Sequence, residues 1–179
     1  MSTTLDDVTD GAWPYHRRVP LTGLIVDRLL MADDVAAAKF LTGSPIDDPA
    51  REQQVLDHVR SRSGTNEVDP ETATAFVRDQ FTASKLVQQG LFAHWTTHPE
   101  EAPTVPPDLD KVRKRLDQLT TRLLQELHDP HPPRDEPIRT CSHVSTDGSL
   151  LESLDTLHRH ALDVATRSVH RTTRKEQHP

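Results

Sequence analysis

The 179-residue chain has a single cysteine, Cys141. That leaves no internal disulfide framework and no Cys-rich zinc site, which suits a reducing compartment. Its six glycines, at positions 11, 23, 43, 64, 90 and 148, stand singly. Neither a P-loop nor a dinucleotide-binding GxGxxG can therefore be written anywhere. Aromatic residues make up 4% and apolar residues 34% of the chain, against about 45–50% in an average globular domain. So few apolar residues close a core best when they fall in stripes, and helices make stripes with the fewest of them. An all-α fold is expected rather than a β-sandwich. Positive charge is also short: Lys plus Arg is 21 against 28 for Asp plus Glu, a formal net charge of -7. No bulk positive field exists to collect nucleic acid or anionic lipid. The apolar stretches, such as LTGLIV at 21–26, fall far short of the ~20 residues that span a bilayer. The first twenty residues lack the apolar run of a signal peptide. The expectation is one cytoplasmic domain with no nucleic-acid or membrane partner.

Prolines cluster at Pro45 and Pro49, at 99–107 and at 130–137, and divide the chain into proline-free segments that read as helices. The first runs from about Leu21 to Leu41. Asp48-Pro49, an N-cap followed by proline at the first helical position, opens a second to about Ser61. Asp69-Pro70 repeats that signal and opens a third to about Thr97. Asp108 caps a fourth, in which Leu109, Val112, Leu116, Leu119, Leu123 and Leu127 alternate steps of three and four and must be buried. Residues 128–148 read as a Pro-rich loop. Ser149 to Glu152 reads as a capping box opening a last helix through Leu154, Leu157, Ala161, Ala165 and Val169. The organisation expected is a flexible segment 1–19, a single helical-bundle domain of about five or six helices over 20–173, and a flexible tail 174–179.

The cations are oddly placed. Arg28 and Lys39 are eleven residues apart, so they project from one helix face about 16 Å apart along the axis. Arg51 sits in the first turn of the second helix, where it opposes the local dipole, together with Asp48 and Glu52. Ser84 and Gln88 are spaced i, i+4, and Arg113 borders the leucine stripe. Each has a plain alternative: a solvated charged face for Arg28 and Lys39, capping for Asp48, a wet helix face for Ser84 and Gln88, a pair with Asp110 or Asp117 for Arg113.

The order and spacing of DRLLMADDVAAAKF, PIDDPAREQQVL, VDP, QFTASKLVQQ and PPDLDKVRKRLD resemble the helical chorismate mutases of the AroQ class. The likeness is strongest to the longer, single-chain gamma type, known mainly from secreted bacterial enzymes. It spans residues 20 to 127, with a weaker match, SLDTLHRHALDVATRS, reaching about residue 169. The resemblance implies that Arg28, Lys39, Arg51, Ser84, Gln88 and Arg113 bind substrate and that Asp48 and Glu52 lie near its ring hydroxyl. It also implies a place in the shikimate pathway of aromatic amino acid biosynthesis, no metal or organic cofactor, and a homodimer with its sites inside each subunit.

The chemistry accounts for those residue types. Rearrangement of chorismate to prephenate breaks an ether C–O bond and forms a C–C bond with no proton transfer, so catalysis comes from positioning and electrostatics. Arg28, Arg51 and Arg113 would clamp the two carboxylates, with Ser84 as a further donor. Lys39 and the Gln88 amide would donate to the ether oxygen as negative charge grows on it. Relatives of the gamma type can carry glutamate at the position of Gln88; glutamine donates at any pH.

Two features depart from the gamma type, which usually has a signal peptide and a C-terminal disulfide. An intracellular version of the fold is expected, with export as the alternative. Cys141 reads as a bystander. His94 and His98 stand at i, i+4 without the Glu of HExxH and fit a helix end better than a metal site. The rival functions are a mutase for 4-amino-4-deoxychorismate, an isochorismate-pyruvate lyase, and a non-catalytic helical interaction module.

Overall fold

The computed structural model describes residues 21–63, 68–128 and 152–169. Among the described residues five α-helices run in the order α1 (Leu21–Thr42), α2 (Pro49–Ser63), α3 (Pro70–Thr97), α4 (Leu109–His128) and α5 (Thr156–Ala165), with a 3-10 turn at Pro99–Glu101. No strand occurs among the described residues. The expected 1–19 segment, most of the Pro-rich loop, Cys141, Ser149 and the 174–179 tail lie outside them.

Aspartates start the helices as their sequence positions predict. Asp48 accepts from the Arg51 amide at 3.1 Å, Asp69 from the Thr72 amide at 2.8 Å and Asp108 from the Lys111 amide at 3.2 Å. Each satisfies a backbone donor that the helix itself leaves unpaired. Helix α1 stops at a Schellman turn: the Gly43 amide donates to Phe40 O and the Ser44 amide to Lys39 O. Gly43 takes φ of 65°, which glycine adopts without a Cβ penalty.

Helix α1 is the axis of the bundle and packs against α3, α4 and α5. Thirteen of its 22 residues are buried, which explains why its apolar residues do not form a narrow stripe. Leu24, Ile25 and Leu29 meet Phe76, Val77 and Val87 of α3, Leu119 and Leu123 of α4, and Ala161 and Val164 of α5 in one core. Each such leucine contributes about 1.5–3 kcal/mol by burial. Gly90 lets α3 and α5 approach closely, since a Cβ there would lie 2.6 Å from Leu157 Cδ2. The leucine stripe of α4 is spent within the chain: Val112, Leu119 and Leu123 are buried, while Leu109 and Leu116 are half-buried.

The last helix differs from its expected course. It does not run unbroken from Ser149 to Val169; residues 153–155 leave the helical path and a new helix begins at Thr156. Asp155 is extended (φ -70°, ψ 174°), and its carboxylate accepts from the His158 amide at 2.8 Å. The aspartate cap overrides continuation of the apolar pattern through Leu154.

Candidate active site

Four helices meet around a pocket with about 690 Å³ of open space, its mouth included. Each contributes one face. Helix α1 presents Arg28, Val35 and Lys39; the start of α2 presents Asp48, Arg51, Glu52 and Val55. Phe81, Ser84, Lys85 and Gln88 come from α3, and Arg113, Leu116, Asp117 and Thr120 from α4. These sets follow i, i+3, i+4, i+7 spacing or its extension by further turns, so helical geometry alone aligns them. The structure therefore brings together all eight residues singled out in the sequence.

The solvated-face alternative for Arg28 and Lys39 is overturned, because each is only 7% exposed. Arg28 Nη1 donates to Thr120 Oγ1 at 3.2 Å and to Leu116 O at 3.3 Å, and its guanidinium stands 6.0 Å from the Phe81 ring centroid. Burial pulls its pKa down to about 10, with Asp117 opposing the shift and Arg51 adding to it. It remains a cation at neutral pH. Lys39 Nζ donates to Ile46 O at 2.6 Å, which ties the α1–α2 link to the pocket wall. Burial lowers its pKa, partly offset by Asp48 and reinforced by Arg113.

Asp48 has two roles, since it caps α2 and also accepts from Arg113 Nη2 at 3.4 Å. Neither Asp110 nor Asp117 is the partner of Arg113, contrary to the simplest expectation. Asp117 is taken by Arg51, whose Nη2 lies 2.7 Å from both of its oxygens. That cross-helix pair explains how an arginine is tolerated in the first turn of α2. Gln88, 4% exposed, donates from Nε2 to Ser84 Oγ at 3.1 Å and to Ser84 O at 3.3 Å. Its buried Oε1 has no partner among the described residues.

Lys85, Asp117, Thr120 and Phe81 were not singled out as pocket residues from the sequence. The signal was present for two of them: Phe81 and Lys85 fall on the Ser84–Gln88 face at the same helical spacing. Asp117 and Thr120 stand one and two turns beyond Arg113, but their side of α4 is decided by packing against α1. His94 and His98 belong to the end of α3. His94 Nε2 is 2.7 Å from Glu101 Oε2, and the two imidazoles stack at 4.7 Å.

Five cations and three carboxylates line the pocket, a surplus of two positive charges in a chain that is acidic overall. Such a surplus, mostly carried on arginines that share their carboxylate partners with the cavity, fits a dianion.

Comparison with known proteins points the same way. Residues 21–89 match the family model for chorismate mutase type II. The chain is 35% identical to the secreted chorismate mutase of Mycolicibacterium smegmatis, over 84% of both chains. It is 30% identical to the secreted chorismate mutase of Mycobacterium tuberculosis, over 83% of this chain and 75% of that one. The crystal structure of a Burkholderia phymatum chorismate mutase superposes with a TM-score of 0.71 at 35% identity, covering 84% of this chain and 94% of that one. With its all-α fold, its cation-rich pocket between four helices and these relatives over most of its length, the chain belongs to the type II, AroQ-class chorismate mutases of the gamma type.

Proposed function

We propose that this pocket carries out the family's reaction, the [3,3] rearrangement of chorismate to prephenate, with each chain holding one complete site. The observation that carries the reading is the surplus of two positive charges among the lining residues, all from one chain, matched to a substrate with two carboxylates. Arg28, Arg51 and Arg113 clamp those carboxylates. Arg51 and Arg113, paired with Asp117 and Asp48, turn toward the substrate when it enters. Ser84 adds a hydroxyl donor.

The reacting bond needs no acid or base, only a conformation and a field. Binding both carboxylates at once draws the enolpyruvyl side chain over the ring and removes rotational freedom before the bond breaks. Lys39 keeps further ammonium protons beyond the one given to Ile46 O, and these meet the ether oxygen as it becomes negative. The Gln88 NH₂ carries two protons: one stays with Ser84 Oγ, which keeps the Ser84 hydroxyl proton for the substrate, and the other turns to the same ether oxygen. The apolar walls, Val35, Val55, Phe81 and Leu116, lower the local dielectric and strengthen both contacts. Glu52 and Asp48 accept from the ring hydroxyl.

Arg28 and Lys39 argue against a non-catalytic module, because burying two cations that donate, among the described residues, to neutral oxygens is costly without an anionic ligand. The relatives' names support the mutase over the lyase and the amino-substrate reaction. They also support the exported alternative for localisation, and the cytoplasmic expectation gains nothing from them. No described helix is long and apolar enough to cross a membrane.

The test is the loss of chorismate absorbance on adding purified protein, with acid conversion of the product to phenylpyruvate to identify prephenate. Catalysed loss with prephenate as product is expected. A folded protein that leaves chorismate unchanged overturns the reading.

A further inference from the structure

Lys85 sits at the pocket wall between two carboxylates. Its Nζ lies 2.8 Å from Glu52 Oε1 and 2.8 Å from Asp47 Oδ1, so it ties α3 both to α2 and to the link before it. Hydrogen bonds to Asp47 and Glu52 raise its pKa, and it is an ammonium throughout the neutral range. Lys85 and Glu52 both line the pocket, and their side chains are 29% and 27% exposed. The pair is neither sealed in the core nor freely solvated.

Glu52 has a distinctive position among the carboxylates of the pocket. Asp48 is engaged by the α2 amide and Arg113, and Asp117 gives both oxygens to Arg51. Glu52 meets Lys85 through Oε1, which leaves Oε2 for a ligand. Chorismate offers two carboxylates and an ether oxygen, all acceptors, and its single hydrogen-bond donor is the ring hydroxyl. A pocket carboxylate therefore meets this substrate favourably only at that hydroxyl, or at the ammonium that replaces it in 4-amino-4-deoxychorismate.

Resting on the reading of this pocket as a chorismate site, we infer that Lys85 determines its selectivity: by offsetting the charge of Glu52, it leaves an acceptor for a hydroxyl and a poorer partner for an ammonium. Asp47 shares the ammonium, so Lys85 offsets the charge of Glu52 in part, and its removal leaves both carboxylates without their cation. Lys85 acts through Glu52 and is a positioning residue; it need not touch the reacting atoms.

The test compares kcat/KM for chorismate and for 4-amino-4-deoxychorismate in the wild type, Lys85→Met, Lys85→Arg and Glu52→Gln, each checked for helical content. Removing the cation should shift the preference toward the amino substrate by about tenfold, because an unpaired carboxylate then faces the ammonium. Lys85→Arg should restore the wild-type preference, and Glu52→Gln should move it the opposite way from Lys85→Met. A purely structural tie between α2 and α3 would change both substrates alike. An unchanged preference in Lys85→Met, or shifts of the same sign in Lys85→Met and Glu52→Gln, overturns the inference alone. Absence of chorismate turnover by the wild type overturns it together with the reading of the pocket.

Discussion

Two charge clusters in this bundle, each with a buried cationic side chain, are built on opposite plans. Between α1 and α5, His158 is 4% exposed and closed on itself: Nε2 lies 3.0 Å from Asp33, and Nδ1 lies 2.9 and 3.0 Å from the two oxygens of Asp155. One cation, when protonated, meets two carboxylates. In the pocket the balance is reversed, with five cations against three carboxylates and with Arg28 hydrogen-bonded, among the described residues, to neutral oxygens. Burying an ion without an opposite charge is costly, and a fold tolerates it where a ligand brings the missing charge. The closed cluster fastens a helix; the open one carries the excess charge that the proposed dianionic substrate would balance.

That contrast is broken most severely at Lys39. Lys39→Ala should reduce kcat/KM for chorismate by about 10²-fold or more while the helical content is kept, since on the proposed mechanism it removes a principal donor to the developing charge. Steady-state kinetics with circular dichroism check both halves. Arg28→Ala removes a charge-assisted contact of about 1.5–3 kcal/mol and should cost about 10–10²-fold in kcat/KM.

The pH dependence sharpens the picture. Gln88 donates in any protonation regime, so activity should be nearly flat between about pH 6 and 8. Gln88→Glu should keep its activity chiefly at lower pH, where the carboxyl is protonated and can donate; a flat profile in that variant would contradict the role given to Gln88. On the alkaline side, burial lowers the Lys39 pKa from its ordinary 10.5 and that of Arg28 to about 10. The wild-type kcat/KM should fall as pH rises toward 10, because the free enzyme then loses cations it needs.

The closed cluster should respond in stability and not in turnover. Burial of His158 opposes its charged form, but the Asp155 hydrogen bond and the charges of Asp33 and Asp155 outweigh it and raise its pKa above 6.5. Protonation therefore favours the folded state. The stabilisation is fully present below about pH 6.5 and is lost as pH rises through the raised value. His158→Gln should lower Tm by about 3–6 °C at pH 6 and by less at pH 8.5, with kcat/KM for chorismate unchanged. Equal Tm losses at the two pH values would contradict the clasp.

How much of this was legible in the sequence depends on what each feature rests on. Aspartate caps and helix periodicity act within a few residues, so Asp48-Pro49, Asp69-Pro70 and Asp108 mark true helix starts. The same local rule was missed at Asp155, where the apolar pattern running through Leu154 masked a second cap. The pocket's faces were readable wherever helical spacing linked a residue to Arg28, Lys39, Arg51 or Ser84. Which carboxylate meets which arginine was not, because Arg51–Asp117 and Arg113–Asp48 join residues 66 and 65 positions apart. Lys85 was read past for the same reason: its meaning comes from Asp47 and Glu52, which only the packing of α2 on α3 brings to it.

The most direct measurement is a calorimetric titration of a dicarboxylate transition-state analogue of the rearrangement into the wild type, Lys39→Ala and His158→Gln. The open-cluster account predicts one molecule bound per chain, an affinity about 10²-fold weaker in Lys39→Ala, and no change in His158→Gln. No binding to the folded wild type, or equal affinity in the wild type and Lys39→Ala, would contradict it.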